Sequence, residues 1–376
     1  MKKILVCLLL ASAPFARAQE TPTITISKTD KLTIAISGLP AAEAKILQND
    51  LALSGYFTIA PAGSSAFVAT GALAGSSLAG TVNDRAGRSV LSQSFSGSAR
   101  GRVHAFADEI VATLTGQKGF ASTTIAFVAS RTGHKEIYTA DADGSNVKQI
   151  TADANISVAP SVSPDGQTVV YTGYKSGYAD VYEIDLRSGA RNRIIKYPGT
   201  NSGASFSPDG GRLAVTLSKD GNPELYVTGS GGGGARRLTR TAGVESSPTW
   251  SPDGGEIIYS SDDRGGPRLY RISASGGSGR PLSTGHSYNT EPNWSPDGRK
   301  IAFNTRGGSG FEIAIHELNA GGSRIVGTGQ DPVWGADSRH LLFSNGSALI
   351  LLDTQSGRKT TLVSGLGKVS EPTWSR

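Results

Sequence analysis

From residue 125 onward, short runs of β-branched and aromatic residues alternate with breaks rich in glycine, and the breaks recur at a fixed interval. Pro160-Ser-Val-Ser-Pro-Asp-Gly166, Ala204-Ser-Phe-Ser-Pro-Asp-Gly210, Pro248-Thr-Trp-Ser-Pro-Asp-Gly254 and Pro292-Asn-Trp-Ser-Pro-Asp-Gly298 align directly. Pro332-Val-Trp-Gly-Ala-Asp-Ser338 is a weaker copy, and Pro372-Thr-Trp-Ser-Arg376 a truncated one. Equivalent positions fall at 163, 207, 251, 295, 335 and 375. The run before Ser-Pro reads as a strand. Pro-Asp-Gly reads as a hairpin turn, in which proline presets φ, aspartate bonds its own backbone and glycine takes the left-handed position. A second strand follows, as in Thr168-Val-Val-Tyr-Thr172, Arg212-Leu-Ala-Val-Thr216, Glu256-Ile-Ile-Tyr-Ser260 and Lys300-Ile-Ala-Phe-Asn304. A third follows in Asp180 to Ile184, Glu224 to Val227, Arg268 to Ile272 and Glu312 to Ile315. A fourth ends in Leu238-Thr239 or Leu282-Ser283. Four antiparallel strands every 40 to 44 residues make a propeller blade.

Six copies predict six blades. Ile125-Ala-Phe-Val-Ala-Ser130 reads as a second strand with no first strand before it, and the last copy has no second strand. The sixth blade is therefore expected to combine both ends of residues 118–376, pairing strands that would otherwise be open edges. Removing the last residues should open the ring. The Pro-Asp-Gly aspartates read as turn residues, and Trp250, Trp294, Trp334 and Trp374 as packing between blades.

Residues 19–117 have another texture. Thr23 to Ser27, Thr33 to Ser37, Tyr56 to Ile59, Phe67 to Ala72, Leu78 to Val82 and Val90 to Phe95 alternate like strands. Ala41 to Ser54 reads as a helix with Ile46, Leu47, Leu51 and Leu53 towards its core. Arg102 to Leu114 reads as a second helix, with Val103, Phe106, Ile110 and Leu114 on one face and Gly116 as its stop. The expected fold class is a small N-terminal α/β domain followed by an all-β six-bladed propeller, joined by a linker over 117–124.

Residues 1–18 read as a cleaved export signal. Lys2 and Lys3 form a basic start, Ile4 to Ala11 an apolar stretch too short for a stable span, and Ala16-Arg17-Ala18 a cleavage site before Gln19. No later stretch reads as a membrane helix. The single cysteine, Cys7, lies inside the signal, and Ile4-Leu5-Val6 lacks the small residue expected before a lipoprotein cysteine. Without it the mature chain has no disulfide or thiolate site. The high glycine count of 49 and the low charged fraction of 18% fit many turns. Removing Lys2, Lys3 and Arg17 lowers the formal charge from +6 to +3, and no basic cluster with interleaved aromatics argues for nucleic acid.

Chemistry is sparse. There is no G-x-S-x-G elbow, no H-E-x-x-H and no phosphate loop; the Gly231 to Gly234 run fits a loop. His104, His134, His286, His316 and His340 show no paired spacing. No catalytic or dedicated metal site is expected. Where the blades differ is the residue before the repeat proline. Around the ring it reads Ala159, Gly203, Ser247, Glu291, Asp331 and Glu371. An electronegative half-rim at one channel mouth would receive a Lys or Arg from a partner, or a cation such as Ca²⁺ with waters. His286, Tyr288 and Asn289 precede Glu291 and could add contacts.

The pattern resembles the TolB family of propeller proteins. Its resemblance is carried by Leu51-x-x-Ser54-Gly55-x-Phe57, Ile125-Ala-Phe-Val128, Leu217-Ser-Lys-Asp-Gly-Asn-Pro-Glu-Leu-Tyr226 and Asn289-Thr-Glu-Pro-Asn-Trp294. The resemblance implies a non-enzymatic, periplasmic scaffold of the Tol–Pal system that supports outer-membrane integrity and cell division. It implies a Pal-like outer-membrane lipoprotein on one propeller face and a TolA-like inner-membrane protein on the mature N-terminus, here Gln19 to Ile26. Glu20, Thr21, Thr23, Ile24 and Ile26 are the candidate contacts, and the start Glu20-Thr-Pro-Thr23 departs from the family pattern. A monomer with no cofactor is expected. The alternatives are an exported propeller enzyme, lactonase- or hydrolase-like with a metal in the acidic half-rim, and a glycan-binding propeller.

Overall fold

The computed structural model describes residues 31–308 and 310–375. The predicted strand at Thr23 to Ser27, the export signal and the N-terminal contact residues Glu20 to Ile26 lie outside them.

The N-terminal part is one mixed sheet. Strand β1 (Leu32–Ser37) pairs in parallel with β2 (Phe57–Ile59) and β3 (Phe67–Ala74). β4 (Ser77–Asp84) and β5 (Ser89–Ser96) continue as an antiparallel meander, giving the order β2-β1-β3-β4-β5. Helices α1 (Ala41–Leu53) and α2 (Ala99–Thr115) pack on this sheet through Leu47, Leu51, Val103, Phe106 and Ile110, all buried against Ile34, Leu78 and Val82. Gly80 makes room for this packing, because a Cβ there would sit 2.6 Å from the Phe106 ring. Helix α2 starts three residues before the expected Arg102. The Ser98 hydroxyl accepts the Gly101 N–H at 3.0 Å and caps the first turn, and Gly116 closes the helix at φ +67°.

Six four-stranded blades follow. Blade one is Ser157–Val162, Thr168–Gly173, Asp180–Asp185 and Arg191–Ile195. Blades two, three and four start at Asn201–Phe206, Glu245–Trp250 and Thr290–Trp294. Blade five starts at Gln330–Trp334. The long strand Lys359–Trp374 is its fourth strand and then the first strand of blade six. Its far end pairs Val369 with Ala129, Thr373 with Ala126 and Trp374 with Ile125, so the composite closing blade is as expected. The fourth strands of blades two and three end earlier than the sequence suggests, at Arg237 and Pro281. Past Arg237 the backbone turns away, but the Thr239 hydroxyl still accepts the Leu225 N–H at 2.9 Å and stands in for a ladder carbonyl.

The apolar cores lie between blades, not within them. Trp334 is fully buried against Ala302, Ile313 and Ile315 of blade four and Leu341, Phe343 and Ile350 of blade five. Trp250 and Trp294 occupy the same place at the junctions of blades two with three and three with four. Arg212, Arg271 and Lys300 each lie over the outward face of one of these indoles, at 4.7, 5.2 and 4.5 Å.

The α/β part packs on the Pro-Asp-Gly end of blades five and six. Leu53, expected to face its own core, instead joins the blade five and six cluster with Phe120 and Trp374, because it closes α1 where the chain meets the propeller. Arg358 bonds the Ala52 carbonyl at 2.8 Å. Arg100 bonds Asp141 at 2.8 Å and Asp143 at 2.7 Å. His104 Nδ1 sits 2.7 Å from Asp50 and its Nε2 3.6 Å from Asp141. His104, Asp141 and Asp143 could converge on a metal ion, but the Arg100 guanidinium already pairs with both aspartates there.

Burial alone would lower the His104 pKa; the Asp141 and Asp50 carboxylates outweigh it and hold the ring at about 9. This raised value contributes stability that is complete below 6.5 and lost as pH rises through about 9. His104→Gln is expected to flatten that alkaline decline by about 1–3 kcal/mol. Unfolding temperatures recorded from neutral to alkaline pH check this; parallel curves for parent and variant would contradict it.

Candidate functional site at the channel mouth

The six innermost strands surround a channel. At the end away from the α/β part they line a cavity of about 550 Å³. Ala159, Gly203, Ser247, Glu291, Asp331 and Glu371 all line it, with Lys135 reaching in from blade six. The structure thus brings the three predicted acids together at one mouth.

Their placement has a local cause. In every blade the innermost strand carries a register shift at this point. The residue before the proline (Ala204 in blade two) adopts a left-handed backbone, with φ of +50°, +62°, +52°, +49°, +56° and +52° in ring order. A bulge re-aims a side chain that ladder geometry would turn into the sheet. Five of the six are not glycine, and each such residue costs about 1–2 kcal/mol. A proline normally pushes the residue before it towards extended backbone. Pairing on both sides of the bulge holds the strained residue in place. The strained position recurs in all six blades, while its side chain changes from neutral to acidic around the ring.

The acids also link blades. Asp331 Oδ2 accepts the Glu371 N–H at 2.8 Å, and Glu371 Oε2 accepts the Ala159 N–H at 2.6 Å. The Asp331 N–H goes to Asn304 Oδ1 at 2.9 Å, and the Gly203 N–H to the Thr172 hydroxyl at 3.1 Å. Thr216 and Ser260 donate to the Glu245 and Asn289 carbonyls of the next blade at 3.0 and 3.1 Å. This polar collar beneath the mouth was not picked out from sequence. Its signal was there: the apolar run inside each second strand gives way to Thr172, Thr216, Ser260, Asn304 or Ser344.

Electrostatics separate the acids. Burial raises the pKa of Asp331 and Glu371; Lys135 and a donated backbone N–H on each oppose the rise. Glu291 opens onto the channel, with Asp331 and Glu371 as like charges and the Ser247 hydroxyl opposing them. Desolvation first, then those carboxylates, push it up to about 7. Three acidic side chains and a single lysine therefore share the mouth. It is a negative well that a cationic group would relieve.

The other predicted contacts are placed differently. Asn289 is buried and tied into its loop, donating to the His286 carbonyl at 3.0 Å and accepting from the Thr284 hydroxyl at 3.0 Å. His286 packs on the Phe303 ring, and Tyr288 packs on Phe311 with Arg306 4.4 Å above it. None of the three lines the cavity. At the same end of the blades, exposed Ile156 and Val244 directly precede the inner strands of blades one and three, and Tyr178, 74% exposed, lies in the loop between the second and third strands of blade one. Asp165, Asp209, Asp253 and Asp297 sit in the turns at the opposite end, each accepting its turn serine hydroxyl at 2.5–2.6 Å.

Glu371→Ala is expected to cost about 1–3 kcal/mol, because the Ala159 N–H loses its acceptor. Glu371→Gln keeps an oxygen there and is expected to unfold within about 0.5 kcal/mol of the parent. Denaturant unfolding of both variants checks this; equal losses would contradict it.

Comparison with known proteins fits this architecture. The family described as TolB beta propeller domain matches residues 111–376. The crystal structure of TolB from Acinetobacter baumannii superposes with a TM-score of 0.80 at 26% identity, covering 92% of this chain and 97% of that one. A Tol-Pal system protein TolB from Anaeromyxobacter sp. is 31% identical over 208 residues, which is 44% of this chain and 48% of the relative. A TolB homolog from Chlorobaculum tepidum is 44% identical over 89 residues, which is 23% of this chain and 20% of the relative.

Proposed function

The chain belongs to the TolB β-propeller family, and from that premise we propose that it is a non-enzymatic binding scaffold of the Tol–Pal cell-envelope system. In this reading it works in the periplasm, supports outer-membrane integrity and cell division, and receives a Pal-like lipoprotein at the channel mouth. The observation that carries the reading is the unequal mouth ring: three re-aimed acids on blades four to six, facing away from the α/β part. A negative well inside a rim of exposed aromatic and apolar residues suits a protein partner that inserts a Lys or Arg. The N-terminal contact with a TolA-like protein, through Glu20, Thr21, Thr23, Ile24 and Ile26, belongs to the same proposal and rests on family resemblance. His340 pairs with Asp337 at 2.6 Å and is buried beside Phe120, away from the cavity.

The same carboxylates are suited to a hydrated Ca²⁺ as an auxiliary ligand of the mouth. Calorimetric titration of the mature chain with the soluble domain of a Pal-like lipoprotein tests the main reading. Saturable one-to-one binding supports it, and a Kd weaker than about 1 mM would overturn it.

A further inference from the structure

A second acidic pair lies outside the channel. Glu224 opens the third strand of blade two and Glu245 the first strand of blade three. Both side chains are fully buried. Glu224 Oε1 accepts from Arg237 Nη2 and from the Thr241 N–H, both at 2.8 Å. Glu245 Oε1 accepts from the Thr241 and Ser261 hydroxyls at 2.7 and 2.8 Å. Each carboxyl group therefore has one saturated oxygen. The other, Oε2 in both residues, is buried without a well-aligned partner, with the Thr239 hydroxyl the donor nearest Glu224, and the two groups adjoin at Thr241, which gives its N–H to one and its hydroxyl to the other. Two ionised carboxylates cannot meet this way, because like charges in contact disfavour a shared ionised state.

We propose that Glu245 carries a proton that it donates to Glu224, and that this shared proton is a pH-sensitive tie holding the 239–245 loop between blades two and three. One proton satisfies both orphaned oxygens. It also balances the local charge, since Arg237 alone faces the pair and also lies 3.9 Å from Asp220, which Lys219 pairs at 2.9 Å. The remaining ionisable neighbours do not supply a cation. Tyr226 donates to Asp220 at 2.6 Å, Tyr259 is buried, and Asp263 caps the loop at the Ala242 N–H. Burial first, opposed by the Thr241 and Ser261 hydroxyls and reinforced by Glu224, raises the Glu245 pKa to about 7. The folded chain keeps this proton where the unfolded chain has released it. Stability from the tie is therefore present below 4.5, falls as pH rises towards about 7, and stays level above.

Glu245→Gln supplies the same donor permanently, as an amide N–H. Thermal unfolding of the full mature chain at about pH 5 and about pH 8 tests the tie. The variant is expected to match the parent at the lower pH and exceed it by roughly 2–6 °C at the higher. An offset equal at both values would overturn the proposal. Added CaCl₂ that raises the parent's unfolding temperature at the higher pH, and not the variant's, would also overturn it, since a cation would then fill the gap. Should the variant fail to fold, infrared spectra of the Glu291→Gln chain, which lacks the mouth's own high-pKa glutamate, decide: a protonated-glutamate band persisting about two pH units above the ordinary glutamate range supports the tie, and its absence refutes it.

Discussion

Ending the chain at Lys368 is expected to leave the propeller unable to close. The missing stretch is the inner strand of blade six, and Ile125, Ala126, Val128 and Ala129 all lose their ladder partners. Ser375 and Thr124 lose a reciprocal pair, Ser375 N–H to Thr124 O at 2.9 Å and Thr124 N–H to Ser375 Oγ at 2.9 Å. Trp374, 3% exposed and packed edge-on against Phe120, leaves the largest void. Losing a buried tryptophan alone costs about 3–5 kcal/mol. That is a large share of the roughly 5–15 kcal/mol that holds a typical domain folded, before the ladder is counted. The Thr124–Ala129 strand would also become an exposed apolar edge, a template for association. Aggregated or protease-sensitive protein is the expected result by size exclusion and limited proteolysis. A monomer with the parent's cooperative unfolding transition would contradict it.

Arg339→Ala is expected to produce the next largest loss, about 3–5 kcal/mol, and to loosen the α/β part from blade five. Arg339 is 8% exposed in its side chain and holds Asp353 in a fork, Nε to Oδ1 at 2.8 Å and Nη2 to Oδ2 at 2.6 Å. Its Nη2 also reaches the Gly55 carbonyl at 3.4 Å, and its guanidinium lies 4.3 Å from the Tyr56 ring centre. The fork and the Ser356 hydroxyl overcome burial and hold the Asp353 carboxyl far below the usual range. Removing the cation leaves that carboxylate buried and unpaired. Arg339→Lys keeps the charge but not the fork, and is expected to recover only part of the loss. Two separate unfolding transitions in Arg339→Ala, where the parent shows one, would demonstrate the loosening by calorimetry. An unchanged single transition would contradict it.

The repeat made the propeller legible because each blade needs its own turn, and Ser-Pro-Asp-Gly spells that turn in residues with narrow conformational preferences. Closure was legible from the unmatched strand at Ile125. The helices were legible from periodicity, but Ser98, a local hydrogen bond, decided where the second one begins. Leu53 was misplaced because a helix wheel shows which residues are apolar, not which of two cores they meet. At the mouth, the identity of Glu291, Asp331 and Glu371 was legible, while their left-handed backbone was not. A residue before proline normally reads as extended, and only pairing between distant strands imposes the bulge. Asn289 carried the same ambiguity: a loop amide looks like a contact residue until its partners show that it ties its own loop.

The account rests on the claim that function lies at the unequal mouth and not at the repeated turns. The most direct measurement is the affinity of a Pal-like domain for two variants side by side. In one, Glu291→Gln, Asp331→Asn and Glu371→Gln together remove the mouth charge while keeping oxygens that can accept the Glu371 and Ala159 N–H groups. In the other, Asp165→Asn, Asp209→Asn and Asp253→Asn change as many carboxylates at the opposite end. The account predicts that the mouth variant binds at least about tenfold more weakly, a loss of about 1.4 kcal/mol, while the turn variant binds like the parent. Equal affinity of the mouth variant and the parent would contradict it.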